Sequence, residues 1–551
     1  MNGSAILVIA TIILGLAYII YGRWLARKWG IDPDTPTPAH TQRDGVDYVP
    51  AKRGVVFGHQ FASIAGAGPI NGPIIAAMFG WLPVLLWILV GGIFFGAVHD
   101  FAALYASVKN KGKTIGYLIE LYVGKTGKTL FLVFTWLFSI LVVAAFADIV
   151  SVTFNGYDQA GGQVAANAAV ASTSILFIVA AVLLGAFLNR FKPNGWTSAV
   201  VAIVLLVACI SLGLHFPIFS DRTTWLYFVF IYIFVASVTP VWALLQPRDY
   251  LNSFLLVLMI LAAFVGIISA NPEMNLAAFT SFEVKGNYLF PILFVTVACG
   301  AVSGFHSLVS SGTSSKQIDN ERDILPISFG GMLLECLLGV MALIAVGALA
   351  VGGVMPEGSP PMIFANALSG FLDNLGLPHD TSYTLITLAV SAFALTSLDS
   401  VARVGRLAFQ EIFTRADGSH IGPAGGVLAN RYVATFLTLL MGYLLALRGY
   451  KNIWPLFGSA NHLLAALALI ACAVFLKKTN RTGWMLYAPA VVMLAITFTA
   501  LVLAIFQIVG KITDAAFAWE VDFLPLVFAM LLLALGFLVA SSGIKRIREK
   551  A

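Results

Sequence analysis

The chain has 551 residues, 59% of them apolar and only 11% charged, with a mean hydropathy of +0.91. Soluble chains carry roughly 25% charged residues, so a water-soluble enzyme, a disordered chain and a fibrous protein are all excluded. Most of the surface has to face lipid. The net charge of +6 raises the question of a nucleic-acid partner, which the placement of the charges answers below.

A membrane-spanning helix needs about 20 mostly apolar residues. Fifteen such segments run along the chain, near 4–22, 55–79, 82–107, 129–152, 167–189, 196–214, 224–244, 250–269, 288–311, 326–352, 382–410, 427–447, 453–476, 483–508 and 522–541. None alternates apolar and polar residues as a barrel strand does. The expected fold class is therefore an all-α polytopic membrane protein with about 15 transmembrane helices. The first segment is expected to be a retained helix rather than a cleaved signal, because its basic residues Arg23, Arg27 and Lys28 follow it.

Of the 32 Lys and Arg, only five (Arg222, Lys285, Arg448, Lys451 and Lys511) fall in even-numbered connections between segments. Basic residues are retained in the cytoplasm. The bias predicts an N-terminus outside and a cytoplasmic C-terminus. It also explains the positive charge as topology, so no nucleic-acid partner is expected. Cys209, Cys299, Cys336 and Cys472 lie far apart without a CxxC pair, which supports neither a zinc site nor a disulfide framework.

Three segments carry breaks. In segment 2, Gly66, Gly68, Pro69, Gly72 and Pro73 follow His59, Gln60 and Ser63, and Asn71 lies among them. Two prolines so close cannot stay in a regular helix. Pro69 suits the first turn of a second half-helix, whose N-terminus favours an anion. In segment 9, Ser303, Ser307, Ser310, Ser311, Thr313 and Ser314 surround His306, offering neutral oxygens to a cation or small polar solute. In segment 7, Ser237-Val238-Thr239-Pro240 reads as a weaker break. It lies five segments after segment 2 and runs the opposite way, as in transporters built from inverted repeats. On that spacing, residues 1–54 form an N-terminal helix and loop, 55–215 and 216–426 two five-helix repeats, and 427–551 a peripheral scaffold that would serve contact in a homo-oligomer.

Ionisable groups inside a bilayer are costly. They include His59, His99, Asp100, Asp148, His306, Glu335, Asp399, Arg403, Arg406 and His462. Asp399 and Arg403 are spaced to pair at i,i+4. His306 and His59 are the candidate proton carriers, since histidine titrates near neutral pH. His99, Asp100, Asp148, Glu335, Asp399 and Arg403 are candidates for gating or charge pairing.

The runs Phe57-Gly58-His59-Gln60-Phe61 through Pro69, Gly96-Ala97-Val98-His99-Asp100-Phe101, Leu244 through Tyr250, Ser303 through Lys316 and Trp454 through Asn461 closely resemble the carbon starvation protein A family. The resemblance implies an inner-membrane secondary transporter with the inverted five-helix core of the amino acid–polyamine–organocation superfamily. It also implies uptake of pyruvate, coupled to protons, or of peptides when carbon is scarce. That superfamily can hold sodium beside its first broken helix, which directs attention to Ser310, Ser311, Thr313 and Ser314. Proton and sodium coupling both stay open, and no other cofactor is expected.

The chain is therefore expected to import a small carboxylate, pyruvate first. The carboxylate would lie at the Gly66–Gly68 break, with His59, Ser63, Asn71, Ser303, His306 and Ser307 around it. A peptide would need an acidic partner for its amine, and Asp148 is the acidic residue placed toward the outer half. An intramembrane enzyme is disfavoured because neither HExxH nor a nucleophile turn is present. A carboxylate sensor and a passive channel are further alternatives.

Overall fold

The computed structural model describes residues 2–45, 47–158, 160–191, 193–240, 244–414, 420–481, 483–513 and 516–548. Each of the fifteen apolar segments contains helix among the described residues. In chain order, α1 is Gly3–Trp29, and α2 (Arg53–Ile64) and α3 (Gly68–Phe79) form a pair bent by 43°. Next come α4 (Trp81–Lys109), α5 (Lys125–Phe154), α6 (Ala165–Phe191) and α7 (Gly195–His215). They are followed by α8 (Arg222–Val238) and α9 (Leu245–Ala270). A second interrupted segment consists of α10 (Leu289–Thr296) and α11 (Phe305–Gly312). The chain continues through α12 (Glu321–Leu349), α13 (Pro360–Asp373), α14 (His379–Ile412) and α15 (Arg431–Ala446). It ends in α16 (Tyr450–Lys478), α17 (Trp484–Thr513) and α18 (Trp519–Arg548).

Eleven of these helices are long and apolar enough to cross a membrane, and the α2–α3 pair adds a twelfth. The other three expected spans are α8 and α15, of 17 and 16 residues, and the interrupted α10–α11. The helix starts follow capping rules. The side chains of Asp221, Asn194 and Asn430 accept backbone N–H bonds at the first turns of α8, α7 and α15.

Segment 7 differs from its expected form. Its helix ends at Val238, and Thr239-Pro240 terminates it instead of kinking it. Residues 241–243 lie outside the described residues. The interrupted helix that faces α2–α3 is α10–α11. Gly68 lies against Cys299, Gly72 against the Thr296 carbonyl, and Gly300 against Pro69 and Pro73. Segment 9, not segment 7, is thus the spatial partner of segment 2. Spacing misled because α6 and α7 form a hairpin that packs on itself, adding two segments between the breaks.

The assignment of residues 427–551 to a periphery also changes. α16 is buried along its whole apolar length, and α5 and α14 nearly so, whereas α1, α7, α17 and α18 keep most of theirs exposed. The centre of the molecule is therefore α5, α14 and α16 with the two interrupted helices. α5 packs most extensively on α14.

A partly buried ion pair, with Arg222 35% and Asp148 2% exposed, joins α5 to α8. The Asp148 carboxylate on α5 accepts from Arg222 Nε at 2.7 Å and from the Tyr450 backbone N–H at 2.6 Å. Removing one partner of such a pair leaves an uncompensated charge. Asp148→Asn is expected to lower the midpoint of thermal unfolding in detergent by several degrees, without selectively removing transport of peptides. A selective loss of dipeptide transport at unchanged stability would show that Asp148 serves a substrate amine instead.

Candidate functional site

The two breaks meet at a small cavity. Ile64, Gly66 and Gly68 line it from the α2–α3 break, Phe138, Val142 and Phe146 from α5, and Ser397 from α14. Cys299 and Phe305 contribute from the second break, and Phe457 and Asn461 from α16. The enclosed volume is about 10 Å³, room for about one water. No charged side chain lines it among the described residues.

Close approach explains the two glycines. A Cβ at Gly66 would lie 2.5 Å from Ser397 Oγ, and one at Gly68 2.5 Å from both Cβ and Sγ of Cys299. The first turn of α3 begins at Gly68. Its leading N–H groups have no partner within the helix, so the positive end of a half-helix opens on the cavity. The start of α11 is closed off. Asn461 Oδ1 accepts from the Phe305 N–H at 3.1 Å, and the Asn461 carbonyl from the Gly304 N–H at 3.2 Å. The amide of Asn461 also bonds Ser303 Oγ at 3.1 Å.

A second constellation lies behind the break. His306 Nδ1 is 2.7 Å from Asp100 Oδ2, and His99 Nδ1 is 2.8 Å from Asp100 Oδ1. His306 Nε2 is 3.2 Å from Glu335 Oε2, but the geometry there is not that of a hydrogen bond, and both Glu335 oxygens are without a partner. All four residues are at most 1% exposed. They come from α4, α11 and α12. Asp100 is the hub of a buried cluster.

A third network corrects the expected Asp399–Arg403 pair. Asp399 on α14 pairs instead with Arg248 on α9 and accepts from Tyr232 Oη on α8 at 2.6 Å. Arg403 donates to the carbonyls of Ala236 and Thr239 at 3.0 and 2.8 Å, and Arg406 to that of Ser237 at 2.5 Å. These carbonyls close the C-terminal end of α8, where a cation is favoured.

The remaining candidates are dispersed. Of the eight residues expected to surround substrate, Gly66 and Gly68 line the cavity, and Ser303 reaches it through Asn461. His59 Nε2 bonds Thr313 Oγ1 at 3.1 Å, and its Nδ1 stands 4.0 Å from Asp249 Oδ2. Ser307 Oγ donates to the Gly304 carbonyl. Ser63 and Asn71 are buried, Asn71 with neither amide atom partnered. The hydroxyls expected to hold sodium already have protein partners. Ser310 and Ser314 clasp the Gln60 amide, Ser311 joins the Ser307 carbonyl to the Ile115 N–H, and Thr313 donates to the Val309 carbonyl. Asn461, Cys299 and Ser397 were missed as site residues. Asn461 closes a distinctive sequence run, whereas Ser397 has no local signal.

Comparison with known proteins now identifies the lineage. The family described as Carbon starvation protein CstA matches residues 2–356 and 350–500. The chain belongs to this family. It is 31% identical over 605 residues to the "Peptide transporter CstA" of Bacillus subtilis (strain 168), covering 99% of this chain and 97% of the relative. It is 33% identical over 589 residues to the "Pyruvate/proton symporter BtsT" of Escherichia coli (strain K12), covering 89% and 80%. The fold is shared with a manganese transporter of Eremococcus coleocola, at a TM-score of 0.52 and 12% identity over 92% of this chain and 99% of that one. This CstA-family chain is thus a multi-pass membrane transporter with a LeuT-like all-α fold, not an enzyme.

The contact between Gly68 and Cys299 is testable. Gly68→Ala is expected to reduce transport at least about tenfold, because the added Cβ displaces a packed side chain. Gly68→Ala combined with Cys299→Gly removes the obstructing atoms and is expected to recover most of the loss. Full activity of the single variant, measured as initial uptake rate at equal protein, would contradict the close approach.

Proposed function

We propose that this transporter imports a small carboxylate, pyruvate first, driven by a co-transported proton or sodium ion. It would act in the inner membrane when carbon is scarce, with its N-terminus outside and its C-terminus in the cytoplasm. The observation that carries the reading is the chemistry of the cavity between the breaks. It offers a half-helix N-terminus at Gly68 for a carboxylate, the hydroxyl of Ser397 for a neutral oxygen, and aromatic walls for a small carbon skeleton. Among the described residues no acidic side chain lines it to receive a peptide amine, and Asp148 is taken by Arg222 and Tyr450.

The enclosed volume suits a sealed stage of the cycle. Helices have to separate before a three-carbon acid enters. We infer that the moving frame consists of two five-helix units related by reciprocal packing. One is α2–α3, α4, α5, α8 and α9. The other is α10–α11, α12, α14, α15 and α16. In support, α3 packs on α12 as α11 packs on α4, and α8 meets α14 as α15 meets α5. Substrate at the meeting point of two interrupted helices is the arrangement expected for alternating access.

The peptide reading is favoured by the names of several relatives and is separated by one experiment. Purified protein in proteoliposomes is given labelled pyruvate or a labelled dipeptide, with an inward proton gradient or an inward sodium gradient imposed separately. Pyruvate accumulation under one gradient is expected. Dipeptide accumulation without pyruvate accumulation would overturn the proposal.

A further inference from the structure

We propose that the buried cluster of Asp100, His306 and Glu335 is the proton-carrying site of the cycle, with Glu335 as the group that loads and releases the proton. The inference rests on the transport reading above and decides between its two driving ions.

Charge counting carries the argument. Asp100 sits between two ring nitrogens, His99 Nδ1 and His306 Nδ1, which suits an ionised carboxylate. A protonated His306 balances it. Glu335 then adds a net negative charge to a site with no exposed surface and no donor on either oxygen. The titratable groups that face Glu335 are His306 and Asp100, with the thiols of Cys299 and Cys336 beside it. No Lys or Arg is paired with any member of the cluster among the described residues. An unpaired charge sealed from water is the costliest state available. The sealed cluster is therefore neutral when it holds one proton on Glu335 in addition to that on His306, and it carries one negative charge without it.

This difference supplies the coupling. A proton enters Glu335 from water on one side, the cluster seals as a neutral unit, and the same proton leaves to water on the other side. Without it, sealing strands a charge. The cluster adjoins the substrate cavity. His306 follows Phe305, which lines the cavity and whose N–H is held by Asn461, also in the lining. The break carbonyl of Ala301 lies against Gly96 on α4, and Cys336 of α12 against Gly92. The helices that bear the cluster are thereby seated on the break itself. His99 acts as a positioning residue, since its ring reaches Asp100 only.

The test separates exchange from accumulation. In proteoliposomes, Glu335→Gln mimics the loaded state. It is expected to keep measurable exchange of labelled for unlabelled pyruvate at symmetric pH, and to make that exchange insensitive to pH. Accumulation driven by a proton gradient is expected to fall at least about tenfold. Glu335→Asp keeps a titratable group and is expected to retain part of the accumulation with a displaced pH profile. Undiminished proton-driven accumulation in Glu335→Gln would overturn the inference, as would loss of exchange in both variants. If the unaltered protein exchanges no pyruvate at all, the proposed function fails instead.

Discussion

Backbone that leaves the helical ladder inside a bilayer has to find its hydrogen bonds within the protein, and the architecture of this transporter follows from meeting that demand at the second break. α16 meets it. Trp454 Nε1 donates to the Thr296 carbonyl at 3.2 Å, and Asn461 receives the N–H groups of Gly304 and Phe305 through its carbonyl and side chain. Gly458 lets the Val295 carbonyl approach, and Gly304 lets α16 approach in return. A helix that must serve as hydrogen-bond partner along its length is drawn into the centre, which explains why α16 is wholly buried although it is near the end of the chain. The first break is supported differently. The Ala65 and Gly66 N–H groups turn back on α2 itself, which leaves the start of α3 open to a ligand. One half-helix is capped by protein and the other is not.

The charges inside the membrane divide along the same lines. Three arginines are spent on structure: Arg248 on Asp399, and Arg403 and Arg406 on the carbonyls that end α8. Asp148 is balanced by Arg222. In the Asp100–His306–Glu335 cluster both oxygens of the fully buried Glu335 lack a donor, whereas buried Asp399 lacks one on Oδ1 alone. A structural pair would have been completed by an arginine, as at Asp399. An incomplete one, seated on the break, has the character of a group that changes its protonation state as the protein moves.

Much of the fold was legible in the sequence because hydrophobic length is a strong signal. All fifteen apolar segments contain helix among the described residues, and Gly66-Ala67-Gly68-Pro69 announced its break through residues that cannot stay in a regular helix. What the sequence did not reveal was which break faces which. The α6–α7 hairpin has the same hydropathy as the helices around it, so it counted as part of a repeat and shifted the pairing from α10–α11 to the end of α8. Partner choice was equally hidden. Arg403 is one turn from Asp399, yet it points to the end of a neighbouring helix, while Arg248 crosses 151 residues of chain to reach Asp399. His306 and Asp100 were each recognisable as costly residues in a membrane. Their meeting, 206 residues apart, depends on α11 packing against α4, and no local pattern encodes that. The serine and threonine run of segment 9 drew attention as a sodium site because its oxygens are many. Most of them answer backbone carbonyls or Gln60, the ordinary use of hydroxyls between membrane helices.

The central claim is that substrate sits between the two breaks, and Cys299 is a reporter built into that cavity. In a variant with Cys209, Cys336 and Cys472 replaced by alanine, the rate at which a small thiol reagent modifies Cys299 can be followed with and without candidate substrates. Pyruvate is predicted to slow the modification in a saturable manner, whereas a dipeptide leaves it unchanged. Modification indifferent to pyruvate, in a variant that still transports it, would place the substrate elsewhere and contradict the account.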